Sequence, residues 1–517
     1  MARDPATRRL RVDWALVLIV LLGASFRLQH VGLPMAEAHS WRQITNADIA
    51  RNFDERSMNI LYPRVSWGGS PDAYVGMEFP LLQWLAAALY KVFGQHDVIC
   101  RGLSIFFSLA TVVGLYGLGS LFWDRAVGRA AAFLYAISPS AIFFGRTFLS
   151  DVPMICFSVF AVWGFALYLR EGSRGALVWG SAALALTCLV KVPAVLIFAP
   201  IAYLAWESKG WHALRDRALL AGLATAFLLT VAWYVHADVL FHRTGLGQAI
   251  WHPSGGYSPD IVAAAGPMML VSHWATIHQL RDPEFYATLV QRLWNLHLTP
   301  AGLMVVLFGA AVLWSVAGRR FVDVWAATVV LFIFVSAEGN RYHEFHQLPI
   351  LLPAALYFGL AARPAFDGAW LDGQARFGIG RVAAAAVLAL AAWMGVHFSG
   401  IVPNLFRPDA LDMRPIVVGD LLRRETSPDA LIVTVEYQQY GANSPLVLYH
   451  GRRLGWSFDV ASITPHLLRY LHTRYHAQYF VTLIWPELEK RHPDLATYLA
   501  AQERIGGSGD VALFRFR

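Results

Sequence analysis

The chain has 517 residues, of which 56% are hydrophobic and only 15% charged, with a mean hydropathy of +0.45 and a formal net charge of +7. Soluble domains carry about 25% charged residues, so the composition excludes an ordinary soluble protein and predicts an α-helical polytopic membrane protein. The positive balance sits in short loops between apolar runs, as insertion requires, so no nucleic acid is expected as a partner.

The first apolar run, near residues 13–29, is followed by no A-x-A-like cleavage site and reads as a retained span rather than a removed signal peptide. Further runs lie near 103–122, 127–144, 152–169, 176–190, 192–206, 218–236, 301–317, 321–337, 347–362 and 381–400. A bilayer core of about 30 Å takes roughly 20 apolar residues per helix, and fewer where the membrane thins, so about eleven transmembrane helices are expected. The run at 79–93 begins beside Pro80 and is short; it is assigned to the outer surface as an interfacial helix. Charge decides that assignment. Without a crossing there, the basic loops at 8–11, 125–129, 170–174, 209–217, 319–320 and 363–381 all share the cytoplasmic side. The long loops 30–102 and 237–300 and the tail then lie outside. Cys100, Cys156 and Cys188 fall in or beside apolar runs and offer no disulfide framework.

After about residue 400 the composition changes. Residues 431–436, 445–449 and 478–484 are short β-branched and aromatic runs, separated by turn formers and an amphipathic stretch at 465–475. The expected organisation is a transmembrane domain over 1–400 and a small α/β domain over 401–517. No internal repeat or glycine-rich phosphate loop is present.

On this topology the chemically capable residues converge on one side of the membrane. The segment at 37–43 reads E-A-H-S-W-R-Q, where Glu37 is a candidate base, Arg42 and His39 candidate phosphate or substrate ligands, and Trp41 an interfacial anchor. Asp48 follows on the same segment as a second candidate base. Glu78 precedes Pro80, where a carboxylate also suits a helix start. Arg101 opens the second span. Arg146 and Asp151 flank the mouth of a later one, where Asp151 also suits an N-cap. Lys191 lies between two short runs at headgroup level; an ionisable residue at that depth is by default a functional candidate, with snorkelling as the plain alternative. Arg341 and Tyr342 sit within N-R-Y-H-E-F-H at 340–346. Outer-loop histidines, His273 and His278 among them, are candidates to hold a divalent metal with Glu78, although none has H-E-x-x-H spacing.

This ensemble resembles the GT-C class of membrane glycosyltransferases, in the branch that includes the protein O-mannosyltransferases and the ArnT-like aminoarabinose transferases of lipid A. The shared features are an acidic residue after the first span, a glutamate before a proline, an arginine opening the second span, an aspartate after G-R-x-x-L-S and a lysine between short spans. They cover most of residues 10–360. The resemblance implies a donor sugar on a polyprenyl phosphate, transferred by inverting displacement on the periplasmic face of a bacterial inner membrane. The acceptor would be a lipid, a glycan or a protein. It implies Glu37 as base with Asp151 as second acidic site, Glu78 as a metal-holding carboxylate, and Arg42, Arg101, Lys191 and Arg341 on the lipid phosphate. No nucleotide cofactor is implied. Two departures stand out: relatives commonly carry aspartate then glutamate in the first loop, and Phe79 stands where a lysine is common. They leave the base open between Glu37 and Asp48, and leave open whether a metal takes part. The rival readings are a transporter or flippase of lipid-linked sugars, argued against by the lack of repeats and of midplane charges, an oligosaccharide ligase, and a non-catalytic scaffold.

Overall fold

The computed structural model describes residues 12–248, 257–266, 275–311, 315–367, 379–397, 412–437 and 442–517. Each predicted apolar run is helical over most of its length. In chain order the first ten helices are α1 (Trp14–Leu28), α2 (Ser40–Glu55), α3 (Leu81–Phe93), α4 (Asp97–Phe122), α5 (Arg125–Ile137), α6 (Pro139–Phe144), α7 (Asp151–Glu171), α8 (Arg174–Val190), α9 (Phe198–Lys209) and α10 (Arg217–Thr244). Helices Thr299–Ala311, Arg320–Val335, Leu351–Phe366 and Ile379–His397 complete the apolar set. Among the described residues, four helical stretches are alone long and apolar enough to cross a membrane: α4, α7, α10 and Glu344–Phe366. A fifth candidate is Pro283–His297 with Thr299–Ala311, bent by 103° at their junction. The others are shorter, 15 residues for α1 and 17 for α8. Interfacial placement of the 79–93 run suits the 13-residue α3, which at 1.5 Å per residue is about 20 Å long.

The two ends of the bundle differ in chemistry. At one end Asp13 caps α1 and takes Arg129 at 3.0 Å and the Tyr116 hydroxyl at 2.8 Å. Asp124 caps α5 and meets Arg363 at 2.6 Å, and Asp216 caps α10 and accepts from Tyr168. Phe122 stacks on Phe321 at 4.1 Å, and Arg170 lies over the Phe122 ring at 4.2 Å. Of these, Arg129, Arg170, Asp216 and Arg363 belong to the basic loops expected on a common side. The opposite end gathers the first loop, the start of α7 and the end of α8. There the Asn46 amide donates to Phe148 O at 2.7 Å, Phe148 N to the Gln43 side chain at 3.2 Å, and Phe79 N to Leu189 O at 2.9 Å.

Small residues let the central helices touch. A Cβ on Gly164 of α7 would stand 2.6 Å from the Gly180 Cα and 2.8 Å from Ala176 O of α8, so any larger residue must part the two backbones.

Residues 412–517 hold a five-stranded sheet ordered β2-β1-β3-β5-β4, from β1 (Leu431–Val435), β2 (Leu454–Phe458), β3 (Tyr479–Thr482), β4 (Glu503–Gly506) and β5 (Ala512–Arg515). β1 runs parallel to both neighbours, with Val433 between Trp456 and Phe480, and β5 is antiparallel to β3 and β4. The expected strand at 445–449 is instead the helix Leu446–Gly451. Leu446, Val447 and Leu448 are all buried there, and Val447 N donates to Glu436 at 3.0 Å; a lone strand, burying one side, offers neither. The sheet shares one apolar core with the outer loops: Ile49, Phe53, Trp67, Val75 and Tyr257 pack with Val433, Trp456 and Phe480. The Tyr257 hydroxyl donates to Ser457 O at 2.6 Å across that seam.

Candidate active site

Two carboxylate clusters form where the first loop, α4, α7 and α8 meet. In the first, Glu37 is 3% exposed and clasped bidentately by Arg101, Nη1 to Oε1 at 2.6 Å and Nη2 to Oε2 at 2.8 Å. Arg101 Nη2 also donates to Leu33 O and Pro34 O, so it braces the loop as well as the carboxylate. Arg146 Nη2 lies 3.9 Å from Glu37, and the Gln43 amide donates to it at 3.3 Å. Burial alone would push the Glu37 carboxyl up, but the Arg101 hydrogen bonds and charge prevail and hold it below the usual carboxylate range.

In the second cluster Lys191 Nζ stands 3.2 Å from Asp151 and 3.8 Å from Glu78. Its position follows from local sequence. Pro193 lacks the N–H a continuing helix needs, so α8 ends at Val190 and Lys191 takes an extended backbone before the turn Val192–Ile197. Asp151 is the first residue of α7, after Ser150, and spends its charge on Lys191 rather than on the cap. Glu78 lies ahead of α3, whose N-cap is Pro80, so a capping role for this glutamate is not what is observed. The Trp233 indole on Met77 O at 3.0 Å and Leu189 O on Phe79 N at 2.9 Å hold Glu78 from both sides.

Two hollows meet at Lys191. A small polar one is lined by Arg42, Asn46, Glu78, Ser150, Asp151, Lys191 and Gln248. The Gln248 Nε2 is buried and has no hydrogen-bond acceptor among the described residues. An apolar cleft leaves from the other side of Asp151 and Lys191, past Met154, Pro193, Ile197, Trp325, Val329 and Phe332. Sequence reasoning overlooked Gln248, Asn46 and Ser150. Gln248 reaches the site only through the bridge that pairs Gly76 with Gly247, a contact no local pattern announces.

His39 adopts a left-handed backbone, φ 61°, and its Nε2 lies 2.9 Å from Glu344. Other expected residues lie elsewhere. Asp48 is fully buried at the joint with the outer loops, held by Ser66 N at 2.7 Å, Ser66 Oγ at 2.5 Å and Arg51 at 2.8 Å; burial pushes its carboxyl up against the pull of Arg51 and Ser66. Arg341 pairs with Asp282 at 3.0 Å and Glu284 at 3.5 Å, and Tyr342 is 44% exposed beside it. His278 lies on the short helix Ile277–Leu280 in a surface hollow with Arg281 and Asp282, and His273 lies outside the described residues.

Among the described residues no three His, Cys, Asp or Glu side chains gather around a point where a metal ion would sit. The Glu78 and Asp151 carboxylates are instead bridged by an ammonium. Among the described residues the donor set at Glu78 therefore does not fit the expected metal.

Residues 77–236 match the family model described as dolichyl-phosphate-mannose-protein mannosyltransferase. No curated protein matches the chain. Among solved structures, ArnT from Cupriavidus metallidurans in the apo state aligns with a TM-score of 0.66 at 13% identity, over 97% of this chain and 97% of that one. The same protein bound to undecaprenyl phosphate aligns at 0.64 and 11%, over 98% of both chains. The archaeal oligosaccharyltransferase AglB from Archaeoglobus fulgidus, in complex with an inhibitory peptide and a dolichol-phosphate, aligns at 0.62 and 12%, over 95% of this chain and 72% of that one. The fold is thus the one these proteins share, and the GT-C resemblance seen in the sequence is borne out.

Proposed function

We propose that the protein is a glycosyltransferase that moves a sugar from a polyprenyl phosphate to an acceptor hydroxyl at the extracytoplasmic face of a membrane, by inverting displacement. The observation that carries this reading is the seam at Lys191, where a polar hollow lined by Arg42, Lys191, Glu78 and Asp151 meets an apolar cleft at one ammonium. That is the outline of a phosphate head on a hydrocarbon tail. The undecaprenyl phosphate and dolichol-phosphate bound by two of the structurally similar proteins support the same ligand class.

Departure of a lipid phosphate needs cations where negative charge grows, rather than a strong acid. Lys191 and Arg42 are placed to supply them, and the Gln248 amide is a buried donor awaiting an acceptor. Arg101 and Arg146 act one layer back: their charge is drawn by Glu37, and together the three fix the first loop against α4 and α7. Asp151 and Glu78 hold the Lys191 side chain at the seam and keep it from snorkelling away. The clustering of basic loops at the other end of the bundle supports a site on the extracytoplasmic side, and a bacterial inner membrane is the setting the resemblance implies. The acceptor, whether lipid, glycan or protein, would meet the sugar from the side of residues 412–517.

The decisive experiment incubates purified protein in lipid vesicles with polyprenyl phosphate carrying a labelled sugar, plus a membrane extract as acceptor source. Release of free polyprenyl phosphate with label passing to acceptor is expected. A transporter would leave the carrier intact, and either that result or a requirement for an oligosaccharide on pyrophosphate would overturn the reading.

A further inference from the structure

Each carboxylate expected to take the acceptor proton is already engaged. Glu37 gives both oxygens to Arg101 and is held below the usual carboxylate range, which makes it a poor proton acceptor. Asp151 faces the Lys191 ammonium, and Asp48 is bound at a structural joint. A different pair stands across the Phe345 ring from Lys191. His39 Nε2 lies 2.9 Å from Glu344 Oε1, and the two side chains are 18% and 24% exposed. Arg292 lies 3.9 Å from the second oxygen of Glu344. The His39 ring is fixed edge-on against Phe345 at 5.1 Å and tilted on Phe144 at 5.9 Å. Phe345 is also the ring facing Lys191 Nζ, at 6.0 Å. One phenyl ring therefore separates the imidazole from the ammonium at the donor seam.

With Nε2–H donated to Glu344, the neutral ring presents Nδ1 as its acceptor atom. Among the described residues the ring makes its side-chain hydrogen bond at Nε2 and not at Nδ1. His39 has φ 61° and ψ 24°, a left-handed conformation that Asn, Asp and His adopt more readily than other L-residues.

We propose that His39, oriented by Glu344, is the general base of the transfer, a histidine–carboxylate pair doing what a lone carboxylate was expected to do. This rests on the transferase reading above. In the step, the acceptor O–H bond breaks and its proton goes to His39 Nδ1. The acceptor oxygen forms its bond to the anomeric carbon, while the bond from that carbon to the phosphate oxygen breaks and its electron pair leaves with the polyprenyl phosphate. Glu344 stabilises the imidazolium, which then returns its proton to water. Glu344 touches no reacting atom and is a positioning residue.

The test uses His39→Gly in the full chain. Glycine suits φ 61°, so the backbone conformation is retained, and a ring-sized hollow opens beside Phe345 and Glu344. Turnover of the labelled carrier should fall about 10²- to 10⁴-fold, with binding of undecaprenyl phosphate unchanged, and added imidazole should restore at least tenfold of it. Glu344→Gln should lower kcat without raising KM for the carrier, and should add little to the loss in His39→Gly. A purely structural clamp predicts a loss that imidazole does not reverse. That result, or His39→Gly turnover within threefold of wild type, overturns the proposal while leaving the transferase reading intact. If the wild-type protein itself releases no polyprenyl phosphate, both fall together.

Discussion

On the transferase reading Lys191 carries two tasks that pull in different directions, since it neutralises Asp151 and Glu78 in the free protein and would neutralise a phosphate in the loaded one. Arg42 lines the same hollow and supplies a second cation there. Lys191→Met should therefore lower turnover about 10²- to 10³-fold, as loss of a preorganised donor does, with weaker retention of undecaprenyl phosphate; an unchanged rate at normal expression removes Lys191 from the site. The Glu37–Arg101 pair makes a different prediction. Arg101→Ala leaves a buried carboxylate uncompensated and should cost about 3–5 kcal/mol, whereas Glu37→Met with Arg101→Met together should cost far less. Thermal unfolding in detergent compares the two. The presence of these groups was legible in the sequence, because a charge in apolar surroundings must find a partner or a ligand. Which charge meets which was not, because Glu37 and Arg101 are 64 positions apart and only helix packing joins them. Arg341 shows the limit: nothing in its neighbourhood announces that Asp282 rather than a phosphate receives it.

Helices α7 and α8 are the frame of the site, since one begins with Asp151 and the other ends at Lys191. Their contact at Gly164 and Gly180 leaves no room for a side chain. Gly164→Val should destabilise the protein by at least about 1–3 kcal/mol through overpacking and should lower turnover in parallel by spreading the two helices; a variant with native unfolding temperature and full activity contradicts this. The helices themselves were readable from apolar run length, and the break at Lys191 from Pro193. The tail was read less well. β2 contains Gly455, whose Cβ would collide with Ile432 O at 1.7 Å, so the residue that lets β2 lie against β1 is one that weakens any strand pattern. The helix Leu446–Gly451 is short and wholly apolar on its buried residues, and in so brief a run periodicity does not separate helix from strand.

Taken whole, the molecule joins a membrane bundle to a sheet through loops that belong to both. Arg51 of α2 donates to Tyr449 O at 2.6 Å and lies 4.4 Å from that ring, so the helix that starts beside the site ends against the tail. Arg51→Ala should cost about 3–5 kcal/mol by leaving Asp48 buried without its partner, read as a lowered unfolding temperature. A pH dependence follows from Glu436, which follows β1 and is fully enclosed. Burial pushes its carboxyl up to about 7, against hydrogen bonds from Ser444, Val447 and Thr434. The folded chain then keeps a proton that the unfolded chain has released, so this contribution is complete below the ordinary glutamate value and declines as pH rises to about 7. Unfolding temperatures between pH 5 and 8 should fall across that window and flatten in Glu436→Gln; an unaltered slope in that variant contradicts the assignment. The apolar cleft beside Lys191 has a kinetic corollary for such an enzyme. A ligand that arrives by sliding within the bilayer is encountered in two dimensions, so velocity should follow its mole fraction among surrounding lipids. Adding empty vesicle lipid or detergent at constant total carrier should slow the reaction, and a water-soluble sugar phosphate should compete poorly at any concentration.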